Sequence, residues 1–237
     1  MEKQRIRMIG GPNGSGKSTL FSILGHLVPL GYLLNPDEVE KVLRASGELR
    51  LTDWALSTSP GGLRRFIGRH GLKDRVPIKS ISLRNNSIHV PPEKAGGYVA
   101  ALLCDFIREM WLKQGTSFTF ESVMSDSRKL GIFRRARKKG YRTYLYYVCT
   151  DSPLINVQRV KSRVAAGGHD VPEEKIEERY QKSLANLPGA IRLSSRAFIF
   201  DNSDKPHELI AEYEEGKLIQ LAAHPPNWFI TSVLNAK

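Results

Sequence analysis

A short apolar strand pattern, Arg5 to Ile9, runs into Gly11-Pro12-Asn13-Gly14-Ser15-Gly16-Lys17-Ser18, and apolar residues then recur at helical spacing at Leu20, Ile23, Leu24 and Leu27. Strand, glycine loop and helix in that order constrain the fold more than any other feature of the chain, because together they open an α/β domain. Each residue type in the loop has a physical task. Glycines let successive backbone N–H groups converge on phosphate oxygens, Lys17 brings positive charge, the Ser18 hydroxyl is a Mg²⁺ ligand, and the helix N-terminus favours an anion. The loop therefore reads as a site for ATP with Mg²⁺, built from Gly11, Pro12, Asn13, Gly14, Ser15, Gly16, Lys17, Ser18 and Thr19.

Tyr32 to Asn35, Phe118 to Phe120, Tyr144 to Cys149 and Ala197 to Phe200 read as four more strands, separated by helical patterns. That alternation predicts a three-layer α/β/α P-loop NTPase of the kinase-like kind, with a mainly parallel five-stranded sheet. One domain is expected over 1–237. Within it, 47–92 loosens in pattern and reads as an insertion with room for a hairpin. Order returns at Tyr98, and Leu102, Leu103, Phe106, Ile107, Met110 and Trp111 read as the core face of a helix. A basic helix is expected from Asp126 to Lys139. Residues 151–187 read as a helical lid, two helices around Gly167-Gly168-His169, with His169 part of the turn. A C-terminal extension, 204–237, has a hairpin signal at Gly216.

Composition enters through charge. The 237 residues carry a formal net charge of +12, which favours anionic partners such as phosphorylated metabolites, nucleic acid or an acidic protein. Arg134-Arg135-Ala136-Arg137-Lys138-Lys139 reads as the solvated side of a helix, with a nucleic-acid patch as the alternative. No run approaches the roughly 18 apolar residues of a membrane span, and the N-terminus lacks the apolar length of a signal peptide. A cytoplasmic chain without membrane contact is expected. Cys104 and Cys149, far apart and among apolar neighbours, read as buried free thiols.

The wording of the glycine loop also occurs in transporter-type ATPases. Those need a signature loop and then a strand ending in Asp-Glu, both downstream; here Ser59-Pro60-Gly61-Gly62-Leu63 comes too early, and Asp37-Glu38 precedes it. Phosphoryl transfer instead asks for a base, Mg²⁺ ligands and cations around the transferred group. Asp37, where the second strand meets a helix, is the candidate general base, with a first-turn aspartate as the plainer reading. Glu121 ends the third strand, followed by Ser122 and by Ser125, Asp126 and Arg128 at the next helix start. Arg159 and Arg163, one turn apart, and Arg179 beyond the glycine turn could close on the γ-phosphate.

Taken together these residues resemble the zeta toxin family of P-loop kinases. The resemblance rests on the glycine loop, Asn35-Pro36-Asp37-Glu38, Phe120-Glu121-Ser122, Arg163 with Gly167-Gly168-His169-Asp170-Val171-Pro172, Arg179-Tyr180, Ser183-Leu184-Ala185-Asn186-Leu187 and Asp201-Asn202-Ser203. It spans roughly Arg5 to Ser203 and is weakest over 47–92. It implies an ATP-dependent kinase whose acceptor is UDP-N-acetylglucosamine or a related nucleotide sugar, and an antitoxin partner that blocks the nucleotide site. Lys17 and Ser18 would hold ATP and Mg²⁺, Asp37 would activate the sugar hydroxyl, Glu121, Ser122, Arg128 and Arg159 would lie on the substrate side, and Arg163 with Arg179 would stabilise the transferred phosphate. The family's Glu-Thr-Thr is Glu121-Ser122-Val123 here, one hydroxyl fewer. Two other readings remain open: a kinase of nucleic-acid hydroxyls, and a nucleotide-gated module that binds another protein.

Overall fold

β1 (Arg5–Gly10) buries Ile6, Met8 and Ile9 completely, and α1 (Lys17–Leu27) returns over it with Leu20 and Leu24 inward. The structure, a computed structural model, describes residues 3–168, 170–204 and 206–236. Two units are distinguishable: Met1–Gly31 with Thr119–Lys237, and Tyr32–Phe118. The second is wider than the 47–92 stretch singled out from the sequence.

In the second unit, β2 (Tyr32–Leu34) leads to α2 (Pro36–Ser46). Asn35 caps this helix, its side-chain oxygen accepting the Asp37 N–H at 2.8 Å. Pro36 fills the first helical position, where no backbone donor is needed. Gly47, at φ 68°, ends the helix by donating its N–H to the Leu43 carbonyl. Next come β3 (Glu48–Arg50), α3 (Pro60–Arg69), β4 (Ser82–Arg84) and β5 (Ser87–His89), the strands pairing antiparallel in the order β3-β5-β4. Asn85 and Asn86 both take positive φ, the two-residue turn whose twist suits a hairpin.

Part of the segment packs on α4 (Gly97–Gln114). Leu102, Leu103, Phe106, Ile107 and Trp111 are buried there. Phe66 of α3 meets Phe106 edge-on at 5.2 Å, and the Trp111 indole N–H donates to the Trp54 carbonyl at 3.0 Å. Tyr98, in the first turn of α4, is exposed beside the Arg75 guanidinium.

The first unit resumes with β6 (Phe118–Ser122), α5 (Gly131–Lys138), β7 (Arg142–Cys149), α6 (Pro153–Ala165), α7 (Glu173–Leu193) and β8 (Arg196–Asp201), then β9 (Glu208–Glu214) and β10 (Lys217–Leu221). Within this unit the sheet runs β10-β9-β8-β7-β1-β6. β1 and β8 both pair parallel to β7, with Gly10 level with Tyr147 and Cys149 level with Asp201. Alternation along β7 sets the layers. Tyr144, Tyr146 and Val148 pack with Leu20 and Leu24 of α1, while the Tyr147 hydroxyl, on the opposite face, meets the Ser183 hydroxyl of α7 at 3.0 Å. Helices thus cover both faces of a largely parallel sheet, the α/β/α arrangement expected of a P-loop kinase fold.

Three expectations are corrected. The sheet is wider than five parallel strands: β9 and β10 add antiparallel to β8, turning at Glu215 and Gly216 with φ of 47° and 78°. Burial of Ile210, Ala211 and Tyr213 draws this hairpin onto what would otherwise be an open edge. α7 continues past Leu187 through Pro188 to Leu193, because Ala190 and Ile191 are buried and offset the donor that proline removes. The basic helix is split: a 3₁₀ turn at Ser127–Leu130 precedes α5, and Arg134, Arg135, Arg137, Lys138 and Lys139 face solvent. Cys104 and Cys149 are buried free thiols. Among the described residues no helix is long and apolar enough to cross a membrane.

Candidate active site

The glycine loop leaves β1 at Gly10 and enters α1 at Lys17, level with the carboxyl ends of β7 and β8, the sheet edge where open α/β folds bind ligands. Gly11, Gly14 and Gly16 all take positive φ, 143°, 76° and 100°. All three also sit against neighbours that leave no space for a side chain, Gly14 against the Asn156 backbone. A Cβ on Gly11 would collide with the Val148 carbonyl, and one on Gly16 with the Asn202 side chain.

The loop is anchored from several sides. The Gly11 N–H donates to the Ser122 carbonyl at 3.2 Å, and the Lys17 ammonium donates to the Pro12 carbonyl at 2.7 Å. The Asn156 side-chain amide of α6 donates to the Asn13 carbonyl at 2.5 Å while its oxygen accepts from the Thr150 hydroxyl. Asn202, just past β8, donates to the Ser15 carbonyl at 2.8 Å, and the His207 Nε2–H donates to the Gly16 carbonyl at 3.0 Å. None of Asn156, Asn202 and His207 was singled out for a role from the sequence; Asn202 was noted only within Asp201-Asn202-Ser203.

Of the arginines, Arg179 reaches the loop, its guanidinium 3.4 Å from the Asn13 side-chain oxygen. Arg159 turns instead to the Ser203 carbonyl at 3.3 Å, its buried Nη1 without a partner among the described residues. Arg163 is exposed in the last turn of α6, and Gly168 lies over it, donating its N–H to the Arg163 carbonyl at 2.9 Å. His169 lies outside the described residues. α6 and α7 join through Val157, Val160, Val171 and Ile176, and α7 is tied to the sheet by the Tyr180 hydroxyl, which donates to the Thr150 carbonyl at 2.7 Å. The second half of the segment read as a lid is therefore part of the core.

On the acceptor side, Glu121 is half-buried in β6. The Ser122 hydroxyl accepts the Met124 N–H at 3.1 Å, an internal turn contact. Arg128 is exposed and pairs with Asp126, whose carboxyl it holds below the usual carboxylate range. Asp37 belongs to the second unit, exposed in the first turn of α2.

The environment beneath the loop is dry. Burial pushes the Cys149 thiol up to about 12, and the Tyr147 and Tyr180 hydroxyls well above their ordinary range. Ser18 and Thr19 stand exposed in the first turn of α1. Among the described residues no three His, Cys, Asp or Glu side chains are grouped to hold a metal. A Mg²⁺ here would therefore take the Ser18 hydroxyl and complete its shell with phosphate oxygens and water, a combination suited to a hard cation.

Residues 94–209 match the family model described as zeta toxin. Over these residues the chain is similar to zeta toxins. The matched stretch begins after the glycine loop and carries Glu121, Ser122, Arg128, Arg159, Arg163 and Arg179. An uncharacterized protein of Haemophilus influenzae is 32% identical over 69 residues, 29% of this chain and 49% of its own length. A solved complex of AvrRxo1-ORF1 with AvrRxo1-ORF2 holding sulphate ions has a chain similar over 92% of this one and 60% of its own, at 13% identity and a TM-score of 0.55. The same complex with ATP gives 12% identity, the same coverage and a TM-score of 0.52. The chain thus spans about half the length of the curated relative it matches, and its likeness to these solved structures is one of fold.

Proposed function

We propose that this chain is an ATP-dependent kinase that transfers the γ-phosphate to a hydroxyl of a small anionic acceptor, a nucleotide sugar such as UDP-N-acetylglucosamine. The observation that carries the reading is the glycine loop itself, with three glycines at positive φ, Lys17 within it and the Arg179 guanidinium beside Asn13. The zeta toxin match and a structural neighbour solved with ATP support it.

In this reading the loop N–H groups and Lys17 bind the β- and γ-phosphates, and the N-terminus of α1 adds its partial positive charge. Mg²⁺, held by Ser18 and the phosphates, would neutralise charge on the leaving diphosphate. Arg179, with Arg163, offsets charge spreading over the transferred group. Asp37 takes the proton of the attacking acceptor hydroxyl, and Glu121 and Arg128 hold the acceptor. An antitoxin-type protein covering the nucleotide site would be its partner.

The test is acceptor-dependent formation of ADP by the purified protein, compared with Lys17→Ala. Acceleration by nucleotide sugars in the wild type alone supports the reading. Equal rates in both proteins for every acceptor reject it. The exposed basic face of α5 makes short oligonucleotides a necessary part of the panel, since acceleration by those alone would favour a nucleic-acid kinase.

A further inference from the structure

A trans peptide points its C=O and its N–H in opposite directions. Whatever holds the carbonyl of one loop residue therefore aims the N–H of the next. Three loop carbonyls are held by side chains from outside the loop: Asn13 by Asn156, Ser15 by Asn202 and Gly16 by His207. The N–H groups that follow them belong to Gly14, Gly16 and Lys17, three of the donors that an anion-binding loop must present on one side.

We propose that Asn156, Asn202 and His207 are positioning residues that set the three peptide planes of the phosphate loop before the triphosphate arrives. The inference rests on the reading of Gly11 to Ser18 as the triphosphate site. Loop glycines gain freedom at the expense of definition, so a loop with three of them needs outside restraints to be preorganised. The restraints come from two places, the first turns of α6 and the segment that leaves β8. They are themselves fixed. The Asn156 oxygen accepts from the Thr150 hydroxyl, which pins the orientation of its amide, and the Asn202 oxygen accepts the His207 N–H at 3.2 Å. His207 sits at φ 52°, a strained setting for a residue with a Cβ, and among the described residues its buried Nδ1 has no partner. A cost of both kinds at one residue is retained where the geometry it enforces has a use. Gly16 completes the arrangement, since any side chain there would displace Asn202 and approach the His207 ring.

The carbonyl of Gly16 also accepts the Leu20 N–H at 3.0 Å, the first bond of α1. His207 is its second donor. Removing the imidazole leaves the helix bond in place and frees only the tilt of the peptide, so the effect is expected in phosphate binding rather than in folding.

The experiment compares His207→Ala, His207→Gln and Asn202→Ala with the wild type, measuring dissociation constants for ATP, inorganic tripolyphosphate and adenosine, with melting temperature as a check of folding. Each alanine variant should weaken ATP and tripolyphosphate by about fivefold to tenfold, the scale of one hydrogen bond. Adenosine affinity should not change, and His207→Gln, which keeps an N–H donor, should recover most of the loss. Equal ATP affinity in wild type and folded alanine variants overturns the proposal, as does an equal loss for adenosine. If Asn202→Ala does not fold, the His207 pair decides alone. A wild-type protein that binds neither ATP nor tripolyphosphate overturns the triphosphate reading itself, and the positioning role with it.

Discussion

The guanidinium of Arg179, on α7, lies 3.4 Å from the side-chain oxygen of Asn13 in the glycine loop. A residue in the second helix of a helix pair thereby touches the loop that would carry the phosphates. Arg179→Ala should lower kcat by about 10²-fold or more, the range for removing one preorganised donor from a transferring group. KM for ATP should change far less. Steady-state kinetics with both variables measured checks this; a pure rise in KM would place Arg179 in ground-state binding.

Gly16→Ala is expected to fail at the loop. The position is held at φ 100°, and the new methyl would meet the Asn202 amide and then the His207 ring. A strained φ costs about 1–3 kcal/mol. Chemical denaturation should show a loss on that scale and ATP titration a loss of binding, whereas Gly140→Ala, at a comparable φ of 82° but in open space, should bear only the backbone cost and bind ATP normally.

The helix pair was expected to be a lid, and the Tyr180 hydroxyl argues that α7 is fixed where it crosses the sheet. Tyr180→Phe keeps the ring and leaves the Thr150 carbonyl with only the weak Cys149 thiol donor, at 3.5 Å. Thr150 is fully buried, so the cost should be about 1–3 kcal/mol, read as a shifted urea midpoint with an unchanged slope. No change in midpoint would mean that the helix is free at that turn.

Alkaline pH offers a further test. Burial raises the Cys149 thiol from an ordinary 9.0 to about 12, and holds the Tyr141 hydroxyl near the same value. Both groups keep their protons in the folded chain after the unfolded chain has released them. The unfolded state then binds fewer protons, so stability is level below about pH 9 and falls as pH rises toward 12. Urea midpoints across that window should decline steadily, and Cys149→Ala should flatten the first part of the decline. A midpoint that rises with pH would contradict the burial of these groups.

What the sequence made legible was local. Gly11 to Ser18 declares itself because neighbours in the chain are neighbours at the site, and Asn35 with Pro36 announces α2 for the same reason. Asn156, Asn202 and His207 meet the loop from 143, 187 and 191 positions away, and no spacing rule connects an asparagine to a distant carbonyl. Residues 47–92 looked loose because their strands are only three residues long, too short for a periodic signal, although Asn85-Asn86 was a usable turn signal. The hairpin at Gly216 was visible, but nothing local said that it would widen the sheet. The lid reads as ending at Leu187, yet burial of Ala190 and Ile191 keeps α7 going through Pro188 to Leu193.

The measurement that tests the central claim most directly is the mass of the acceptor after incubation with ATP, Mg²⁺ and the protein, for UDP-N-acetylglucosamine, related nucleotide sugars and short oligonucleotides in parallel, with Asp37→Asn beside the wild type. The account predicts a nucleotide sugar heavier by one phosphoryl group, with an equal amount of ADP, and at most a trace of that product from Asp37→Asn. ATP bound tightly by the wild type with no acceptor gaining phosphate, or the same product formed at the same rate by Asp37→Asn, would contradict it.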